Sequence, residues 1–330
     1  MKIGIPRALF FYHYYPLWES FFKALGQEVV LSNPTNKQIL KKGVEVTVDD
    51  ACLPVKLFHG HVMDLAHKAD TIFIPRIISI EPGEYICPKF LGLPDMIKYN
   101  LPDLPPVIDI KLDLYNKKSR ILEHFFEIGK NLNKTRWEVL KAYIVACKSF
   151  SSYKNYIRKH RITPYEILTQ KNFKCIKKQT EPGFTVLLLG HPYNLYDNFI
   201  SMDLITKLRK INAKIITYEM INEKNIVQGT KKLTKDMFWT LGKNILGCAY
   251  YFLENKKIDG IIHVASFGCG PDSLIGELLE HRVMREYKVP FLYLTLDEHS
   301  GEAGFDTRLE AFLDILEGRK VSESNISAHG

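Results

Sequence analysis

The chain has 330 residues, 46% of them hydrophobic and 12% aromatic, enough apolar material for two buried cores and too much for a disordered chain. No run of about 18 apolar residues occurs, which argues against a helical membrane span. The net charge of +8 is scattered over KKSR at 117–120, YKNYIRKHR at 153–161 and KNFKCIKK at 171–178. It reads as a solvated basic face, or as a dock for an acidic partner or an anionic ligand, and not as a nucleic-acid stripe.

The opening MKIGIPRAL has a Pro and an Arg inside its apolar stretch. It predicts a first strand over residues 2–6, not a secretory leader, so a cytoplasmic protein is expected. A helix follows over 15–25, ending at Gly26, and then a strand over 28–31. The β-branched run 44–48 reads as a short strand, and 52 to about 68 as a helix capped by Asp49 and Asp50. TIFIP at 71–75 and 107–110 are further apolar strands. Residues 117–161 read as two helices, and 170–183, polar and ending in Pro-Gly, as a linker.

The scheme then restarts. Strands are expected at 184–189, 214–218, 260–264 and 291–295, and helices at 201–210, 234–255, 273–286 and 308–316. The polar stretch from Val321 onward reads as a disordered tail. IGIPRALFFYHYYPLWESFF in the first half echoes LLGHPYNLYDNFISMDLI in the second, as a duplication would. The fold class expected is α/β: two Rossmann-like lobes with parallel sheets, 1–115 and 184–318, a helical segment 116–169 between them, and a tail over 319–330. Ligands in such folds sit at the carboxyl ends of the strands.

Three cysteines fall at such ends: Cys52 in DDACLPVK, Cys87 in GEYICPKF and Cys269 in SFGCGPDS, each with a Pro or Gly within two residues. None of the six cysteines forms a C-x-x-C pair, so a zinc ribbon or a thioredoxin motif is excluded and any metal centre must be assembled from afar. Cys52 is expected at a helix N-terminus, whose dipole favours the thiolate. The alternative for each cysteine is ordinary core packing. That is the expectation for Cys147 in AYIVACKSF and Cys248 in NILGCAYYF, while Cys175 lies in the Lys-rich linker.

Other candidates lie on the same edges. Arg76 follows strand-end Pro75 and is expected to point into the crevice; His191 and Tyr193 sit in GHPYN, and Glu298 follows Asp297 in LTLDEHSGEAGF. Arg7, Lys56, His59 and His61 are further candidates, for a role at the centre or for ordinary structure.

The stretches VDDACLPVKLFHGHV, IFIPR and EYICPKF, with the block from GIIHVASFGCGPDS to DTRLEAFLDIL, resemble the 2-hydroxyacyl-CoA dehydratase family. More narrowly they resemble its iron–sulfur subfamily of unknown function, kin of the activators and of the double-cubane cluster proteins. The resemblance implies a [4Fe–4S] cluster on three cysteines, here Cys52, Cys87 and Cys269, with one iron free of protein thiolate. It implies an ATP-hydrolysing iron–sulfur activator as electron donor, a small-molecule or acyl-CoA-type substrate, a homodimer and an anaerobic setting. Apart from the resemblance, catalytic roles are expected, from strand-end position alone, of Arg76, His191, Tyr193 and Glu298. A double-cubane [8Fe–9S] centre would need all six cysteines, three of which lie at core or linker positions. A non-catalytic module binding a CoA ester or nucleotide is the alternative to a redox protein.

Overall fold

Continuous apolar runs become parallel strands, as their lack of alternation dictates. The computed structural model describes residues 1–116, 120–169, 183–255 and 257–327. In the first lobe β1 (Lys2–Ile5) lies between β2 (Glu28–Leu31) and β3 (Thr71–Phe73). A two-residue strand, β5 (Val107–Ile108), extends the edge beyond β3. Two short strands, β4 (Arg76–Ser79) and β6 (Lys111–Asp113), form a separate parallel pair that the sequence did not suggest.

In the second lobe β7 (Thr185–Gly190) lies between β8 (Lys214–Ile216) and β9 (Gly260–Ser266), with β10 (Phe291–Leu296) outside β9. All pairings are parallel. Each sheet therefore runs second–first–third–fourth, so the two lobes share one topology, as the echoed sequence suggested. The order reverses between β1 and β3 and again between β7 and β9, and such switch points open a crevice at the strand ends.

Helices cover the sheets. α1 (Phe11–Ala24) packs with α5 (Ile121–Asn131) and α6 (Arg136–His160) around Phe21, Phe22, Phe125 and Ile128. Thr135 and Glu138 close a capping box on α6. The short α7 (Pro164–Thr169) ends the helical segment. The linker with Cys175 lies, but for Gly183, outside the described residues. None of the described helices is long and apolar enough to cross a membrane.

The strand expected over 44–48 is instead the end of a helix, α2 (Lys37–Val46), capped by the Asn36 side chain, which accepts from the amides of Gln38 and Ile39. Its partner is α3 (Leu53–Leu65), whose N-cap is Cys52 and not an aspartate. The reason is a glycine crossing. A Cβ on Gly43 would stand 1.9 Å from the Lys56 carbonyl oxygen, and one on Gly60 2.0 Å from that of Ile39. Only hydrogen at both places lets the backbones touch, so tertiary contact overrides the strand propensity of Val44 and Val46.

A helix also follows Cys87: α4 (Pro88–Asn100). The remaining helices are α8 (Pro192–Leu195), α9 (Leu204–Lys210), α10 (Glu223–Thr230), α11 (Thr240–Asn255), α12 (Gly270–Arg282) and α13 (Glu302–Ser327). α11 starts six residues later than expected. α13 runs well beyond the expected 308–316 and through most of the stretch read as a tail.

The lobes share a continuous core. Ile39, Leu53 and Leu57 from α2 and α3 pack in one cluster with Val186, Leu188, Val264 and Phe305 of the second lobe. A buried polar chain crosses the same seam. Thr35 donates to Asp197, so its oxygen accepts from Nε2 of His61 at 2.9 Å. His61 Nδ1 then accepts from Ser32 at 2.8 Å, and the Ser32 oxygen accepts the Arg7 amide. This pattern needs a neutral imidazole, and burial presses the His61 pKa down to about 3. Burial and Lys154 press His13 down to about 4, and burial lifts Asp197 to about 6.

The signs oppose. A depressed histidine contributes fully above its ordinary value of 6.5 and loses that contribution as pH falls toward its folded value. Asp197, raised above its ordinary 3.8, favours the fold on acidification and loses that contribution as pH rises through about 6. Two histidines outweigh one aspartate, so thermal unfolding at falling pH will show stability declining below about pH 6.5. His61→Gln will flatten that decline and will cost about 2 kcal/mol at neutral pH.

A candidate thiol centre at the lobe seam

Cys52, Cys87 and Cys269 are the N-cap residues of α3, α4 and α12, and each helix has a proline in its first two positions. His191 stands in the same place on α8, before Pro192. Proline suits these positions because its missing N–H would be an orphan there anyway. The sequence signal of Pro or Gly beside cysteine is thus a helix-start signal.

The structure brings the three cysteines together. The Cys269 thiol feels the charges of Cys52 and Cys87, and the Cys52 thiol feels that of Cys87. Gly268, just before Cys269, adopts φ +74°, and a Cβ there would lie 4.0 Å from the Cys52 Cα. The first lobe supplies two thiols and the second lobe one. Cys52 and Cys87 are half-buried, Cys269 is buried, and none of the described cysteines is in a disulfide.

Helix dipoles do not win here. Burial pushes the Cys52 thiol up, although Lys89 and the Val55 amide pull it down. Burial first, then the Asp272 carboxylate and the other two thiols, push Cys269 up strongly. Burial thus favours the thiol form of Cys52 and Cys269, in a pocket where thiolates would repel each other until a positive ion joins them.

A second layer surrounds Cys269. His191 Nδ1 lies 2.9 Å from the Tyr193 hydroxyl, 3.4 Å from Asp272 Oδ2 and 4.0 Å from Cys269 Sγ. Asp272 is fully buried, with Oδ1 3.0 Å from Nε2 of His263, and Asn194, which accepts from Ser266, donates to Oδ2. The ligand atoms of His191, Cys269 and Asp272 lie within 4.8 Å of one another, close enough to hold a metal ion. The Tyr193 hydroxyl is held protonated by burial and by Cys269, Cys52, Asp272 and Cys87 around it. Asp272 and His263 were not singled out in the sequence. The only signal was an Asp in the first turn after Cys269, and the burial that gives it meaning cannot be read from the chain.

The other candidates fall elsewhere. Arg76 does not reach into the crevice: its guanidinium holds Asp95 at 2.6 Å, Asp109 at 2.8 Å and the Leu91 carbonyl at 3.0 Å. These carboxylates hold its pKa above the ordinary value. Glu298 receives the buried Lys56 ammonium, which joins α3 to the loop after β10. His59 bonds the Val55 carbonyl and Asn100, a structural role. Cys248 is sealed in the core around α11, and Cys147 lines a cavity beside α6.

Two lobes of one doubly wound topology, with three cysteines and the His191–Asp272 layer at their seam, make this an α/β protein with a candidate metal centre at the strand ends. Residues 2–221 match the family described as CoA enzyme activase uncharacterised domain (DUF2229). The chain belongs to that family. No curated protein matches it.

Removing Glu298 strands a buried ammonium, so Glu298→Ala will destabilise the protein by about 3–5 kcal/mol in denaturant unfolding. The double replacement Lys56→Met with Glu298→Leu will recover most of that loss.

Proposed function

We propose that this chain is an iron–sulfur protein that holds a single [4Fe–4S] cluster on Cys52, Cys87 and Cys269. The convergence of three N-cap cysteines from both lobes carries this reading. The donor set fits the group: three unpaired thiols, three helix N-termini that favour an anionic centre, and a proton-bearing layer of His191 and Tyr193 beside them. Such a cluster supplies one-electron transfer and an open iron that acts as a Lewis acid.

The chain's own residues have definable tasks in that setting. Cys52 and Cys269 give up their protons on loading, since burial keeps them as thiols beforehand. Tyr193 holds a proton at Oη next to the centre, 2.9 Å from His191 Nδ1. Asp272 orients His191 and His263 from below. Phe267, two residues before Cys269, is 69% exposed, and Val48, four before Cys52, is 72% exposed; they offer an apolar foothold for a partner near the centre. We assign this partner as an ATP-hydrolysing iron–sulfur activator, and the activity as low-potential electron transfer or reduction and dehydration of a small or acyl-CoA-type substrate.

Cys147 and Cys248 make no contact with the three thiols, which favours one cluster over a double cubane. Protein purified without oxygen will carry about four irons and four acid-labile sulfides per chain. Cys87→Ala will lose most of the iron and keep its fold by circular dichroism, while Cys248→Ala will keep its iron. No iron after anaerobic reconstitution would overturn the reading and leave a binding module; about eight irons would move it to a double cluster.

A further inference from the structure

A cavity of about 500 Å³ opens between α1, α6 and the second lobe's turn Tyr218–Met220, α10 and α11. Its size is that of a site for a drug-sized molecule. A ladder of rings forms one wall. By ring centroids, Phe90 lies 4.6 Å from Phe10, Phe10 5.5 Å from Tyr14, and Tyr14 5.6 Å from Phe150. All four line the cavity. The Lys154 ammonium stands over the Phe150 ring, 5.1 Å from its centroid, so the ladder ends on a positive charge. At the other end Phe90 lies 6.3 Å from Tyr193, on the side of the thiol centre.

The charges of the lining are matched except at this end of the ladder. Glu81, Glu84, Glu219 and Glu223 stand against Lys154, Arg158 and Lys243. Glu84 takes Lys243, and Glu223 takes Arg158 at 2.9 Å. Glu219 is spent in a buried knot: the Tyr196 hydroxyl donates to Oε2 at 2.7 Å, Tyr218 and Thr217 also engage the carboxyl, and burial raises its pKa above the ordinary value. Lys154 and Glu81 remain.

Among the described residues no carboxylate lies within ion-pair distance of Lys154; its charge reaches Glu81 and His13 from farther off. Burial, then Glu84 and Glu223, push the Glu81 carboxyl above its ordinary value, so Glu81 is a poor counter-ion. An ammonium against an apolar wall, where the local dielectric is low, gains more from a carboxylate than one in open water. The four glutamates repel any further negative charge, which favours a single carboxylate over a phosphate or a nucleotide.

We propose that this cavity binds an apolar monocarboxylate, its body laid along Phe90, Phe10, Tyr14 and Phe150 and its carboxylate paired with Lys154. The site draws on none of the cysteines and stands or falls separately from the cluster.

The test is Nile red fluorescence on the full chain at neutral pH, with displacement by three probes of one chain length: decanoate, 1-decanol and decylammonium. Saturable dye uptake is expected, with decanoate displacing it at about tenfold lower concentration than decanol, and decylammonium weakest. Lys154→Met will abolish the preference for decanoate and leave decanol affinity unchanged, and Lys154→Arg will retain the preference. Glu81→Gln, which removes the nearest competing carboxyl, will strengthen decanoate a few-fold. Lys154→Met breaks no ion pair, so its unfolding temperature will match the parent's. Absence of saturable uptake, displacement by decanol or decylammonium as good as by decanoate, or an unchanged preference in Lys154→Met would each overturn the proposal.

Discussion

The packing of α3 against the second lobe is the contact on which the centre depends. α3 begins at Cys52, crosses α2 at Gly60, and sends Leu53 and Leu57 into the core of the other sheet. Its Lys56 reaches the loop after β10, and its His61 links Thr35 to Ser32 in the polar chain from Asp197. One helix therefore joins the lobes by apolar packing, an ion pair and a hydrogen-bond relay, and the same helix delivers a thiol to the seam. Moving α3 by a few ångströms would separate Cys52 from Cys269 before it unfolded either lobe.

Topology does the remaining positioning. In each sheet the chain starts in an inner strand, adds the next on one side and then moves to the other. In the second lobe the loops after β7 and β9, which carry His191 and Cys269, flank the point of reversal. Facing two such lobes edge to edge puts helix N-termini from both sides around one space. The cysteines need no shared local motif, and that explains why six cysteines without a C-x-x-C pair still yield a cluster of thiols.

Much of this was legible because it is local. Apolar runs without alternation gave most of the strands, and Pro or Gly beside Cys52, Cys87 and Cys269 pointed to shaped backbone, which is a helix start in each case; the strand expected before Cys52 is the end of α2. What was not legible depends on neighbours distant in sequence. Val44 and Val46 read as strand because the demand at Gly43 comes from Gly60 across a helix crossing. Arg76 read as a crevice residue because the claims of Asp95 and Asp109 on it are tertiary. Asp272 and His263 passed unnoticed because burial alone makes them a pair. The helix-dipole argument for Cys52 was sound in sign, and desolvation outweighed it.

The prolines at the four capped helices have one more implication. Pro54, Pro88, Pro192 and Pro271 fix the first-turn backbone of every element that faces the centre, and they narrow the conformations open to those segments even in the unfolded chain. Chain entropy at the site is thus surrendered when the lobes fold and not when anything binds. The centre behaves as a rigid socket, and whatever enters it meets finished walls.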